Sequence, residues 1–294
     1  MITVLTPTYN RAHTLPRLYS SLCEQTCYDF EWFIIDDGSI DNTKELIQNY
    51  QSSSPPFLIH YVFQKNSGKA MAINRAVNLI QNDFVYFMDS DDYLPVDSIA
   101  QLYPYLEEIK NDFRFCGITG LRVDTSGVPI GSYIPHLTLD IDSLSFRIKY
   151  KALGDYAGVI KTSVLREFPF PMFKDEKFCT EALILNRIAK KYITRYINCP
   201  LRVTEYLPGG LTDTYEKIML ASPNGSLLYF KELFYSKISL RTKLSLILSY
   251  QKIYKKCNKH ELDYIVKPTY AMHLLYPVSL LLYKLYTMKK KVLC

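Results

Sequence analysis

Three features of this 294-residue sequence predict an α/β fold carrying a basic helical appendage. Short apolar runs alternate with helical patterns through the first half, the βαβα rhythm of a sheet covered by helices. Each of the first four apolar runs stops abruptly in a cluster of polar residues. Beyond Thr214 the pattern is helical, and it ends in a strongly basic stretch.

In chain order, residues 2–5 form a buried strand, followed by a helix over residues 15–25 with Thr14 as N-cap and Pro16 in its first turn. Residues 32–35 are the second strand, and Asp41 or Asn42 caps a helix reaching Tyr50. Residues 51–56 are a loop and 57–63 the third strand. Residues 69–80 form a helix with Met71, Ala72, Ala76 and Leu79 facing inward. Residues 84–88 are the fourth strand. A further helix follows Leu94, then a hairpin around residues 124–127 and a less regular stretch to Tyr150. A helix over residues 181–191 turns Leu183, Ile184, Ile188 and Ala189 to one side. The expected organisation is an α/β domain over residues 1–230, divided near residue 120, and a helical region over 231–294.

Composition narrows the class. With 48% hydrophobic and 22% charged residues the chain can bury a full core. The net charge of +6 is unevenly placed: residues 231–294 hold thirteen Lys/Arg against Glu232, Glu261 and Asp263, or +10, which leaves −4 on the first 230. An acidic body with a basic, apolar tail suits an anionic partner, and the absence of a nucleic-acid module favours a membrane surface over nucleic acid. Seven cysteines, an odd number without metal-ligand spacing, indicate free thiols in a reducing compartment. The opening MITVLTPTYN has neither basic start nor apolar run, so a cytoplasmic location is expected.

In an open parallel sheet, ligands gather where the strands end. The first strand stops at Thr6-Pro7-Thr8-Tyr9-Asn10-Arg11, and the second at Asp36-Asp37-Gly38-Ser39. The third precedes Lys65-Asn66-Ser67-Gly68-Lys69, and the fourth stops at Asp89-Ser90-Asp91-Asp92. Clustered carboxylates repel one another unless a cation neutralises them. Their oxygens suit Mg²⁺ or Mn²⁺, which commonly bridge to substrate phosphates. Asp89 and Asp91, two apart on an extended segment, share a face. Lys69, behind Gly68 at a helix start, is placed to reach a diphosphate. The sequence lacks Gly-x-Gly-x-x-Gly, the Walker loop and the Gly-x-Ser-x-Gly elbow, which argues against dehydrogenase, P-loop NTPase and α/β-hydrolase classes.

TPTYNR (6–11), IIDDGSID (34–41), NSGKAMAIN (66–74) and FMDSDD (87–92) together resemble family-2 glycosyltransferases, in that family's order and spacing. The likeness continues more loosely through Gly154-Asp155, residues 168–171, 177–187 and 205–212. The resemblance implies a GT-A fold, a Rossmann-like mixed sheet flanked by helices, and an inverting transfer from a nucleotide-diphosphate sugar, UDP more often than other nucleotides. It would place Pro7, Thr8, Tyr9 and Asn10 around the nucleotide base with Asp37 reading its edge and Asp36 beside it. Asn66, Gly68 and Lys69 would lie near base or diphosphate, Asp89 and Ser90 near ribose and sugar, and Asp91, with Asp89, at a divalent metal. Surface-polysaccharide assembly on a glycan or lipid-linked acceptor is the implied setting.

An inverting transferase needs a carboxylate to take the acceptor's proton. Many relatives carry a Glu-Asp pair at a helix start, but here the stretch reads Thr180-Glu181-Ala182. Glu181 is therefore the candidate base and Asp155 the second candidate, expected more as a contact to donor sugar or acceptor. The glycines of residues 207–212 (LPGGLT) suit a loop closing over the diphosphate. Helical stretches over 233–256 and 268–291 mix Leu, Ile and Tyr with Lys, a pattern of peripheral attachment to the inner face of a membrane. Two alternatives stand: a sugar-nucleotide-binding scaffold without catalysis, kept open by Ala182, and a nucleotidyltransferase, disfavoured by the lack of Gly in TPTYNR.

Overall fold

The computed structural model describes residues 1–205 and 211–292, with backbone alone at 211–214 and 285–292. The strands β1 (Ile2–Thr8), β2 (Phe30–Asp36), β3 (Leu58–Phe63) and β4 (Phe84–Phe87) alternate with α1 (Leu15–Cys23), α2 (Thr43–Ser52) and α3 (Lys69–Leu79). There follow α4 (Ser98–Ile109), β5 (Phe115–Val123), β6 (Thr138–Ile141), α5 (Ser143–Lys149), β7 (Tyr156–Lys161), α6 (Thr162–Glu167), α7 (Glu181–Ile188) and β8 (Ile193–Val203).

The eight strands make one mixed sheet in the order β3-β2-β1-β4-β7-β5-β8-β6. β1 to β4 are parallel, β7 runs antiparallel between β4 and β5, and β6 runs antiparallel beside β8 at the far edge. The chain steps from β1 outward to β3 and returns to the other side of β1 with β4, so the direction of winding reverses between β1 and β4. A crevice forms at such a reversal, beyond the carboxyl ends of the strands. Leu15, Leu18 and Leu22 of α1 pack with Ile2, Val4, Trp32 and Ile34 in a core that runs on through α4 to Ile118 and Val159. The buried Trp32 indole donates to Thr6 Oγ1 at 2.9 Å, which satisfies its one donor. A second cluster, with Leu121, Val123, Phe146, Tyr196 and Val203, sits under the ends of β5 and β8.

Local differences from the sequence expectation have simple causes. Thr14 occupies the N-cap of α1, but its hydroxyl donates to the Arg11 carbonyl at 3.2 Å instead of capping. Asn42 is the N-cap of α2, while Asp41 Oδ1 accepts from Thr43 N at 3.1 Å. In α3, Ala72 and Ala76 are buried as expected, together with Ile73 and Val77. Met71 is half-buried, and Leu79 is 45% exposed, because the helix stops there and Ile80 turns inward in extended conformation. The turn at 124–127 is present: Asp124 N donates to Val128 O at 2.8 Å and Val123 bridges Pro129 antiparallel. The less regular stretch to Tyr150 contains β6 and α5. α1 ends at Cys23, which leaves Cys27 beyond it, and the six cysteines among the described residues are free thiols.

The chain divides into two compact units, Met1–Phe170 with Ile184–Pro208, and Pro171–Leu183 with Gly209–Cys294. The sheet belongs to the first. α7 opens in the second and closes in the first; Leu183, Ile184 and Ile188 are buried, Ala189 is half-buried. The second unit is helical, with α8 (Leu211–Ala221), α9 (Pro223–Phe234), α10 (Leu240–Lys256), a 3-10 turn (Tyr264–Val266) and α11 (Tyr270–Val292). Its α9 starts on Glu176, whose carboxylate accepts from Asn224 N at 2.6 Å and Gly225 N at 2.9 Å, the amides a helix start leaves open. None of the helices among the described residues is long and apolar enough to cross a membrane.

Candidate active site

The β1 and β2 ends are knit by backbone amides. Thr8 O accepts from Asp37 N at 2.8 Å, and Asn10, at φ 52°, donates its amide to Ser39 Oγ and accepts from Ile40 N, both at 2.8 Å. Asp36 is fully buried, and its carboxylate accepts from Ser39 N at 2.8 Å and from Tyr61 OH at 2.6 Å. Burial, then this bond to Asp36, pushes the Tyr61 hydroxyl well above its usual range. Asp37 accepts three hydrogen bonds, from Gln64 Nε2 at 2.7 Å, Ser67 N at 2.8 Å and Gly68 N at 2.7 Å. Its carbonyl takes a fourth from Asn66 Nδ2 at 2.8 Å. Gly38, at φ 88°, permits this closure: a Cβ there would stand 2.7 Å from Asn66 N. Pro7 is half-buried, Thr8 is buried, and Tyr9 is 48% exposed beside this cradle.

The β4 end is built differently, with cations in place of amides. Lys69 Nζ reaches Asp89 Oδ1 at 2.6 Å, from the first residue of α3. Arg122 Nη2 and Arg202 Nη1 each lie 3.2 Å from Asp89 Oδ2, and they meet Asp92 Oδ2 at 2.8 and 3.3 Å. Burial opposes ionisation of Asp89, but Lys69, Arg202 and Arg122 outweigh it and hold the carboxyl well below the usual range. Burial raises Asp92, and Asp89 adds to this against the pull of the two arginines. Ser90 is buried between them in sequence. Asp91 turns the other way: its side chain is 35% exposed and faces Arg11 at 3.8 Å, while its carbonyl accepts from Arg17 Nη2.

The first unit also holds Asp155, just before β7, 61% exposed and 3.4 Å from Arg122 Nη1. So Asp89, Asp92 and Asp155 meet on one arginine. Glu181 is exposed in the first turn of α7, in the second unit. Of the 207–212 loop, residues 207–210 lie outside those described, and 211–212 begin α8.

Arg122, Arg202, Tyr61 and Gln64 are polar neighbours of the site that sequence reasoning missed, and Arg11, the last residue of TPTYNR, was given no role. Gln64 lies two residues before a quoted motif, a usable signal. Arg122 and Arg202 carry none: they sit in β5 and β8, eighty residues apart, and are brought side by side by the parallel register of those strands. Among the described residues, no group of three or more His, Cys, Asp or Glu forms a ready metal site.

A model of glycosyl transferase family 2 matches residues 3–158, more than half the chain. The chain belongs to that family. It is 30% identical over 134 residues to the putative teichuronic acid biosynthesis glycosyltransferase TuaG of Bacillus subtilis, a match covering 46% of this chain and 52% of TuaG. It is 30% identical over 129 residues to the chondroitin synthase of Escherichia coli, covering 43% of this chain and 18% of that protein. The matches thus span about half of TuaG and less than a fifth of the chondroitin synthase. Among solved structures, S. aureus TarS 1–349 in complex with UDP-GlcNAc superposes with a TM-score of 0.60 at 17% identity, covering 95% of this chain and 79% of that one. The mannosyltransferase PcManGT from Pyrobaculum calidifontis, in complex with GDP-Man and Mn²⁺, does so with a TM-score of 0.57 at 18% identity, covering 99% and 83%. The fold is that of the GT-A glycosyltransferases.

Proposed function

We propose that this chain transfers a sugar, with inversion, from a nucleotide-diphosphate sugar, UDP-linked in the first instance, to a hydroxyl of a glycan or lipid-linked acceptor in surface-polysaccharide synthesis. The observation that carries the reading is the pairing of two unlike strand ends beside one reversal of winding: a cradle of buried acceptors at β2 and an ion network at β4. Relatives named for teichuronic acid and chondroitin synthesis support the polysaccharide setting, and neighbours holding UDP-GlcNAc and GDP-Man support the donor class.

In this reading the base lies against Pro7, Thr8, Tyr9 and Asn10, with the edge of Asp37 as hydrogen-bond acceptor. Asn66 and Gly68 hold the turn that delivers Lys69 toward the diphosphate. Charge favours a metal. Asp89, Asp92 and Asp155 already face Lys69, Arg122 and Arg202, and Asp91 faces Arg11, so formal charges at this edge cancel. A diphosphate would add at least two negative charges, which a divalent ion matches. The donor set fits Mn²⁺ or Mg²⁺: Asp91 offers an accessible hard oxygen, Asp89 a second, and substrate phosphates the remainder, the usual arrangement for these ions. When bound, the ion would stabilise charge on the departing nucleotide.

The chain's own residues do the rest. Glu181 takes the proton of the attacking hydroxyl, with Asp155 as the alternative base. Lys69 and Arg11 are placed to take up charge as the diphosphate leaves. Ala182, where the family resemblance implies Asp, supports a second reading as a binding scaffold. The basic second unit supports attachment to the cytoplasmic face of a membrane: Tyr270, Leu274 and Leu281 of α11 are exposed, in a stretch whose sequence is rich in lysine.

Thermal melting with UDP-sugars, with and without Mn²⁺, tests the donor and metal, since a ligand of the folded state raises its melting temperature. A rise that needs both confirms them, and no rise with any nucleotide sugar refutes the reading. Release of UDP in the presence of an acceptor extract separates enzyme from scaffold. Co-sedimentation with phosphatidylglycerol vesicles but not phosphatidylcholine vesicles, lost in high salt, tests the membrane surface.

A further inference from the structure

The strand order fixes what lies beyond Asp89. Moving along the carboxyl edge from the β2 cradle, one passes β1, then Asp89 at β4, then the start of β7, then the end of β5. β7 is antiparallel to both neighbours, so its first residues stand level with the ends of β4 and β5; Leu121 pairs with Tyr156, next to Arg122 and Asp155. On the donor reading above, on which this inference rests, the nucleotide occupies the β2–β1 side. The Arg122–Asp155 pair is then on the side of the sugar.

The backbone around Asp155 is anchored independently of its side chain. Gly154, at φ 78°, lets the chain pass so close to residues 130–131 that a Cβ would stand 2.5 Å from Gly131 Cα. Ser132 N donates to Leu153 O at 3.0 Å, Leu153 N to Ser132 Oγ at 3.1 Å, and Arg147 Nη1 to Gly154 O at 3.1 Å. What remains adjustable is the direction of the exposed carboxylate, and Arg122 Nη1 meets it. The other end of the same guanidinium is clamped between Asp89 and Asp92. Arg122 Nε, like Arg202 Nε, is buried without a hydrogen-bond partner among the described residues.

We propose that Arg122 is a positioning residue for donor-sugar recognition: it ties the Asp155 carboxylate to the Asp89–Asp92 floor, so that Asp155 reads the hydroxyls of the sugar being transferred. The planar guanidinium meets Asp155 through Nη1 and both Asp89 and Asp92 through Nη2, a span that the point charge of a lysine ammonium does not match. Arg122→Lys keeps the charge that Asp92 requires but releases Asp155.

Calorimetry in Mn²⁺ with UDP, UDP-GlcNAc, UDP-GalNAc, UDP-Glc and UDP-Gal tests this without any acceptor. The wild type should favour its best sugar over its worst by about tenfold or more, the worth of one charged hydrogen bond. Arg122→Lys should lose that discrimination by a larger factor than it weakens the binding of UDP itself. Asp155→Asn should show the same loss, and the double variant no more than either single one, because the two act as a unit. Asp155→Asn, at an exposed position, serves alone if the arginine variant does not fold. Discrimination surviving in either variant, additive losses, or a wild type that binds UDP and every UDP-sugar equally would overturn the proposal. A wild type that binds no UDP at all would instead sink the donor reading beneath it.

Discussion

The β2 end and the β4 end of the sheet solve one problem, the burial of two adjacent or near-adjacent carboxylates, in opposite ways. Asp36 and Asp37 are held by neutral donors: Ser39, Ser67 and Gly68 amides, the Tyr61 hydroxyl and the Gln64 amide. Such bonds fix geometry and are short-ranged. Asp89 and Asp92 are held by Lys69, Arg122 and Arg202. Those cations can exchange one anion for another without losing their own compensation. The first end is suited to reading shape and the second to handling charge that comes and goes. Asp91, exposed and only loosely opposed by Arg11, is the point where the ionic end opens outward.

The largest expected effect sharpens this division inside a single motif. Asp91→Asn should abolish transfer and Mn²⁺-dependent UDP binding while leaving the melting temperature near wild type. Asp92→Asn should leave Arg122 and Arg202 facing each other across the register and destabilise the fold by about 3–5 kcal/mol, the usual cost of breaking a buried ion pair. Chemical denaturation and a UDP-release assay on both variants separate the two roles. Equal stabilities would mean that the arginines do not depend on Asp92.

A second variant asks whether the proton is handled at either strand end. Glu181 belongs to neither. Glu181→Gln should lower kcat by about 10²–10⁴-fold with donor affinity kept, the range for a lost general base. If the loss falls on Asp155→Asn instead, the base belongs with the ionic end, and the donor-reading role given to Asp155 yields to a catalytic one.

The two ends differ in how well the sequence displays them. β1 to β4 are joined by short helical crossovers, so TPTYNR, IIDDGSID and FMDSDD each span a strand's end and NSGKAMAIN begins three residues beyond β3, and their convergence follows from the parallel sheet alone. The cradle at β2 is therefore nearly complete in those motifs, short of Tyr61 and Gln64. The ionic end is not. Arg122 and Arg202 come from strands whose pairing contains register shifts near both residues, and no local pattern marks either as inward. Leu79 was misplaced for a local reason, the end of its helix; the arginines were missed for a global one, the order β7-β5-β8.

At the amide-built end the expected effects are smaller. Asp37→Ala removes the acceptor of Gln64, Ser67 and Gly68 as well as the edge offered to a base. Losing a charged hydrogen bond costs about 1.5–3 kcal/mol, so UDP affinity should fall at least tenfold. Calorimetry decides it: an unchanged dissociation constant would place the base elsewhere and leave Asp37 as a brace for the turn before α3.

The smallest effect is the most discriminating between the two kinds of end. Tyr61→Phe keeps the ring and removes one hydroxyl, leaving Asp36 Oδ2 buried without that donor. Asp36 retains Ser39 N, so the loss should be about 1.5 kcal/mol of stability, at the low end for a charged acceptor. Because a bond from a neutral donor to a buried carboxylate is scarcely screened, the loss should be the same at low and high salt. The ionic end should behave otherwise: Lys69→Gln removes a partly exposed ion pair, and its effect on UDP affinity should shrink as salt rises. Denaturation midpoints for Tyr61→Phe and UDP titrations for Lys69→Gln, each at two ionic strengths, test the contrast directly. A salt-dependent Tyr61→Phe effect would show that Asp36 feels the ionic network after all, and that the two ends are one electrostatic site.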